Sequence, residues 1–139
     1  MNDARTTAAA ALLLRLSLGT MFIAHALLKY FVFTLPGTAK FFESIGLPGI
    51  LGYVTVAVEL AGGILLILGV RTRVVALALV PVLLGATWAH SGNGWLFTSP
   101  NGGWEYPAFW TVALVVQALL GDGAYALRRS PVHPDLTTA

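Results

Sequence analysis

Residues 49–70 read GILGYVTVAVELAGGILLILGV, residues 71–73 read RTR, and residues 74–89 read VVALALVPVLLGATWA. Neither apolar stretch alternates in polarity as a barrel strand would, and both approach the ~20 residues that cross ~30 Å of hydrocarbon as a helix. A three-residue polar connection makes them antiparallel neighbours. Within the first, Glu59, Gly62, Gly63 and Leu66 follow the i, i+3, i+4, i+7 spacing of one helix face. A carboxylate at such depth costs ~2.5 to 3.5 kcal/mol in lipid, so Glu59 is expected to face another helix, which the adjacent glycines let approach closely.

Working outward, two further apolar segments give four approximate spans, 8–33, 49–70, 74–89 and 106–120. The third and fourth are short and borrow flanking residues. Of 139 residues, 57% are hydrophobic and 10% charged, with a mean hydropathy of +0.79, too apolar for a soluble domain of this size. The expected fold is therefore all-α, a transmembrane four-helix bundle forming one domain over 1–139, in contact with the lipid bilayer. Thr34–Pro48 and His90–Glu105 read as loops, the second ordered and interfacial, and Arg128–Ala139 as a disordered tail. Arg15 interrupts the first apolar stretch, so no cleaved leader is expected.

Basic residues fix the expected orientation. The N-terminus, second connection and C-terminus collect Arg5, Arg71, Arg73, Arg128 and Arg129, while the opposite loops hold only Lys40. The positive-inside rule then puts both termini in the cytoplasm. The formal charge of +2 reports this asymmetry and points to no nucleic-acid partner. Aromatic residues gather toward the outer side, either as a belt anchoring helix ends or as the walls of a pocket.

Arg15, His25 and Lys29 in the first span share its polar side, because Arg15, Phe22 and Lys29 recur every seven residues with Gly19 and His25 beside them. A rise of ~1.5 Å per residue brings Arg15 within side-chain reach of Glu59, as a structural ion pair or as the polar floor of a ligand site. Lys29 either snorkels to the interface or joins that site. The pocket reading adds His90, Trp104 and Glu105, the last at the rim, around a quinone head group or small oxyanion, with His25 placed to exchange protons. His25 and His90 are a minimal haem b pair, the weakest of these readings. No His/Glu spacing suits a metal, no nucleophile adjoins a base, and the absence of cysteine removes thiolate and disulfide chemistry.

Three stretches resemble the DoxX family of small four-helix bacterial membrane proteins. The first runs Arg15-Leu-Ser-Leu-Gly19-Thr-Met-Phe22-Ile-Ala-His25-Ala-Leu-Leu-Lys29. The second is Val58-Glu59-Leu-Ala-Gly62-Gly63 through Gly69-Val-Arg71-Thr72-Arg73. The third joins His90-Ser-Gly-Asn-Gly94-Trp95 to Gly102-Gly103-Trp104-Glu105-Tyr106, with Gly121-Asp-Gly123 closing the last span. At His25 the family pattern is glycine, so no histidine role is inherited. The resemblance implies a subunit of the bacterial plasma (inner) membrane that supports a quinone- or thiosulfate-linked oxidoreductase, with a redox protein or a second copy as partner. Any enzymatic activity it implies is that of an accessory subunit of a quinone-linked oxidoreductase, not an independent one. A small-solute transporter or channel and a purely structural assembly protein are the competing classes. The near absence of polar side chains from the last two spans, beyond Thr87, Thr111 and Gln117, disfavours a wide aqueous pore.

Overall fold

The computed structural model describes residues 3–131. Among them, regular structure is helical: α1 (Asp3–Phe31), α2 (Leu35–Ser44), α3 (Ile50–Leu68), α4 (Thr72–His90) and α5 (Glu105–Leu120). A 3-10 turn follows α4 at Ser91–Asn93, and one isolated β-bridge joins Val70 to Arg128. Three helices, α1, α3 and α4 with its 3-10 extension, are long and apolar enough to cross a membrane, whereas α5 is apolar but only 16 residues long. Leu13, Leu77, Phe109 and Leu119 stand 56 to 75% exposed on their outer faces, the surface that lipid covers.

Glycines set where the helices meet. A Cβ on Gly63 would lie 2.8 Å from the Gly19 carbonyl oxygen, so α1 and α3 cross backbone to backbone. The neighbouring Gly62 admits Leu79 of α4, whose Cδ2 would be 2.7 Å from an added Cβ, and Gly52 admits α2 at Ala39. α3 is thereby the hub. Leu18, Phe22, Leu66, Leu79, Leu83 and Leu114 fill the core between α1, α3, α4 and α5.

α2 corrects the expectation of a loop over Thr34–Pro48. Pro36 and Gly37 act here as first-turn residues: the Thr34 hydroxyl accepts from the Gly37 N–H at 3.2 Å, and proline is tolerated where a helical N–H would have no partner. Thr38, buried, donates to the Thr34 carbonyl at 2.9 Å within the first turn of α2, and its hydroxyl also lies 3.4 Å from the Lys29 carbonyl near the end of α1.

The opposite end, around the α3–α4 turn, is closed by the chain after α5. Gly69 and Arg71 both take left-handed conformations, φ 68° and 47°. The segment leaving α5 pairs with the turn, Arg71 N–H donating to Arg128 O and Arg128 N–H to Gly69 O. Asp122 is the knot of this end: one carboxylate oxygen accepts from the Thr72 N–H at 2.9 Å and the Ser130 hydroxyl at 2.8 Å, the other from the Ser130 N–H at 2.8 Å. Burial raises its pKa, but the hydrogen bonds from Ser130 and Thr72 outweigh burial and hold the carboxyl below its ordinary value. Residues 128–130 are thus fixed rather than disordered, because Arg128 completes a backbone pair and Ser130 is buried against Asp122. The rest of the expected tail, 132–139, lies outside the described residues.

Candidate functional site

The expected Arg15–Glu59 pair does not form. The Arg15 guanidinium, with the residue 1% exposed, donates to the carbonyls of Leu66, Ile67 and Ala124 at 3.3, 3.2 and 2.9 Å. It covers the C-terminal end of α3, where carbonyls lack helical partners and the helix dipole favours a cation. Leu66 lies seven residues beyond Glu59, about 10 Å along the axis, which removes Arg15 from the carboxylate. Gly69 is required here, since a Cβ at that position would run into the guanidinium.

Glu59 pairs instead with Lys29, which neither snorkels to the interface nor stands free. Lys29 Nζ donates to both carboxylate oxygens, at 3.0 and 2.8 Å, with side-chain exposures of 20% and 6%. Antiparallel packing of α1 on α3 across Gly19 and Gly63 carries these two residues to the same level. The pair stays near neutral overall, which is how ionised groups are held at membrane depth. An ammonium has three donors, and two are used here, leaving one N–H for a further acceptor.

Two adjoining cavities of about 260 and 460 Å³ lie beside this pair. Their common wall is His25, Lys29, Phe41, Phe42, His90 and Tyr106. The first also reaches Glu59 and Trp110, the second Thr38 and Asn101. His25 Nδ1 lies 2.9 Å from the Met21 carbonyl, and its ring packs 4.8 Å from that of Trp110. A carbonyl only accepts, so Nδ1 carries the proton and Nε2 of the neutral ring is available to a ligand. The same logic orients His90: Nδ1 faces the carbonyls of Asn101 and Gly102 at 3.1 and 3.0 Å, so in the neutral ring Nε2 accepts from the Tyr106 hydroxyl at 3.1 Å. Asn93 donates to the same two carbonyls, so α4 and the following loop jointly hold the histidine.

Of the residues expected to bind a ligand, the structure gathers His25, Lys29, Glu59 and His90 and leaves Arg15, Trp104 and Glu105 elsewhere. Trp104 packs its ring edge-on against Trp95, 5.9 Å between centroids. Glu105 begins α5 and accepts from the Phe97 N–H at 2.9 Å, so it fastens the loop instead of closing a rim. Tyr106, Trp110, Phe41 and Phe42 take the places left open. Their only signal in the sequence is the aromatic cluster, which reads equally as an interfacial belt. The Trp110 Nε1–H, buried, has no hydrogen-bond partner in the protein. Among the described residues no group of three or more His, Asp or Glu could hold a metal ion.

The DoxX family model matches residues 10–92, a range holding Lys29, Glu59 and both histidines of the site and ending before Tyr106. A protein of Bacillus subtilis (strain 168) named "Putative oxidoreductase CatD" is 44% identical over 75 residues, which cover 54% of this chain and 54% of that one. The chain thus spans about half the length of that curated relative. No solved structure matches it.

Proposed function

The chain belongs to the DoxX family of membrane proteins, and from that premise we propose that it is a small membrane subunit of a redox system whose cavity binds the head group of a quinone. The supporting observation is the Lys29–Glu59 pair at the cavity wall. It supplies a hydrogen-bond donor without net charge, because the ammonium is neutralised by the carboxylate it holds. That favours a neutral ligand with carbonyl oxygens over thiosulfate, whose charge would need an unpaired cation. Arg15, the other cation buried within a span, is committed to backbone carbonyls at the opposite end.

The residues fit such a head group on chemical grounds. Lys29 has one N–H left for a carbonyl oxygen, the Tyr106 oxygen and His25 Nε2 can accept from the hydroxyls of the reduced head group, and Phe41, Phe42 and Trp110 give ring faces that exclude water. When bound, a quinone would carry electrons and protons; the protein's part is to hold the oxygens and keep the ring dry. Sequence similarity over about half the chain's length to a protein named "Putative oxidoreductase CatD" supports the redox setting. A transporter is disfavoured by the apolar layer of Phe22, Leu66, Leu79 and Leu114 beneath the cavity, which is buried and has no polar side chain to carry a solute across.

In this reading α1, α3, α4 and α5 all cross the bilayer, and the arginine-rich turn end faces the cytoplasm. The chain has no cysteine, so Ser99→Cys and Thr7→Cys can be labelled separately. An impermeant thiol reagent on intact cells should reach position 99 and not position 7. The functional test is equilibrium binding of a short-tailed ubiquinone or menaquinone analogue to protein purified with its native partners. Lys29→Met, which removes the donor left for a carbonyl oxygen, should weaken binding about tenfold, or ~1.4 kcal/mol, while the helical spectrum is unchanged. Absence of binding would leave a scaffold role as the better reading.

A further inference from the structure

We propose that the smaller cavity opens sideways between α3 and α4, past Gly85, as a lipid-side portal for the apolar tail of the ligand; this rests on the quinone reading above. α3 and α4 are tightly packed where Leu79 enters the notch at Gly62. Continuing antiparallel from that contact, Glu59 comes opposite Val82 and Thr55 opposite Ala86, and all four line the cavity. The space between the two helices is therefore the cavity itself. Its level is that of the hydrocarbon: Gly85 is five residues from the His90 end of α4, about 7 to 8 Å below it.

Gly85 has no packing reason to be glycine. An added Cβ would meet nothing within 4 Å, and its backbone is helical, so neither a close approach nor a left-handed turn requires it. A helical glycine costs about 1 kcal/mol relative to alanine. It is exposed and lines the cavity, so what its missing side chain preserves is the opening. Lys29, Glu59, His25 and His90 give the lining its ionisable groups, while Val54, Val82, Gly85, Ala86 and Ala89 give α3 and α4 an apolar share of it beside the opening. A molecule with a polar head and a long hydrocarbon tail matches that division. Head and tail are separated as the bilayer itself would deliver them.

The test compares two quinones with the same head, one short-tailed and one carrying a long isoprenoid tail, on the unsubstituted protein, Gly85→Leu and Gly85→Trp in nanodiscs. The long-tailed quinone should bind the unsubstituted protein more tightly. Each substitution should weaken it at least tenfold while changing the short-tailed compound less than twofold. In parallel, a photoreactive group at the tail end should label residues 82–86 or 54–55 of the unsubstituted protein. Equal loss for both compounds would make Gly85 part of the head-group wall and overturn the portal. Unchanged binding of both, or labelling at Phe33 and Thr38, would send the tail out beneath α2 and overturn it as well. If the long tail adds no affinity, bilayer lipid occupies the cleft and the portal is wrong although the head site stands. If neither quinone binds, the quinone reading itself falls and takes the portal with it.

Discussion

The two ends of this small protein use buried charge in opposite ways. At the turn end, Arg15 and Asp122 are engaged mainly with backbone groups: the Arg15 Nη atoms cover carbonyls of α3 and of the segment after α5, while Asp122 gathers the N–H groups of Thr72 and Ser130 together with the Ser130 hydroxyl. Arg73 adds a bond to the Ala118 carbonyl at the end of α5. Such groups satisfy helix ends and close the chain on itself, and neither Arg15 nor Asp122 lines either of the two cavities. At the cavity end, Lys29 and Glu59 satisfy one another, and His90 with Tyr106 do the same, beside open space. Charge committed to backbone is structural, whereas at the cavity wall Lys29 keeps one N–H and the Tyr106 oxygen a lone pair for a guest.

The largest stability effect is therefore expected at the turn end. Arg15→Met leaves the carbonyls at the end of α3 and at Ala124 without their donor and should cost ~3 kcal/mol in a reversible unfolding assay in detergent. A loss below ~1 kcal/mol would mean that water replaces the guanidinium, and the contrast between the ends would weaken.

At the cavity end, Glu59→Gln alone should cost ~2 to 3 kcal/mol, because it strands the Lys29 ammonium at depth. Adding Lys29→Met should recover part of that loss, with a coupling of at least ~1 kcal/mol in a double-mutant cycle. The same cycle between Glu59 and Arg15 should be additive within ~0.5 kcal/mol.

A smaller effect is expected for Asp122→Asn, ~1 kcal/mol, since an amide keeps one acceptor oxygen and loses the charge-assisted bonds. The sign of its pH dependence follows from the depressed carboxyl. The stabilisation is complete above the unfolded-state pKa of ~4 and is lost as pH falls through the lower folded-state value. A pH titration of stability should show the unsubstituted protein losing more than Asp122→Asn below pH ~4. Parallel curves would mean that Asp122 is not held in its charged form.

How much of this was legible in the sequence divides along the same line. The four apolar segments, the glycine face of α3 and the ionisable residues within the spans were readable, because hydropathy and the helical repeat encode them directly. The partner of Glu59 was not. Depth along two helices brings Arg15 and Lys29 both into range, and the choice depends on the Gly19–Gly63 crossing, which sets the register. The acceptors of Arg15 were invisible for another reason: they are backbone carbonyls freed at a helix end, and carbonyls have no sequence signature. α2 was hidden by Pro36 and Gly37, which break a helix in its interior but are tolerated in its first turn. Tyr106 and Trp110 were noticed only as members of an aromatic cluster, since a ring at a membrane boundary looks the same whether it faces lipid or a cavity.

The most direct test of the division between the two ends measures stability and quinone affinity together on two variants, Arg15→Met and the double replacement of Lys29 by Met and Glu59 by Leu. Removing a buried ion pair as a unit leaves no stranded charge and is often neutral. The double variant should therefore unfold within ~1 kcal/mol of the unsubstituted protein yet bind a short-tailed quinone at least tenfold more weakly. Arg15→Met, kept under conditions where it remains folded, should bind that quinone with unchanged affinity. Weakened binding by folded Arg15→Met, with normal binding by the double variant, would contradict the assignment and move the ligand site to the turn end.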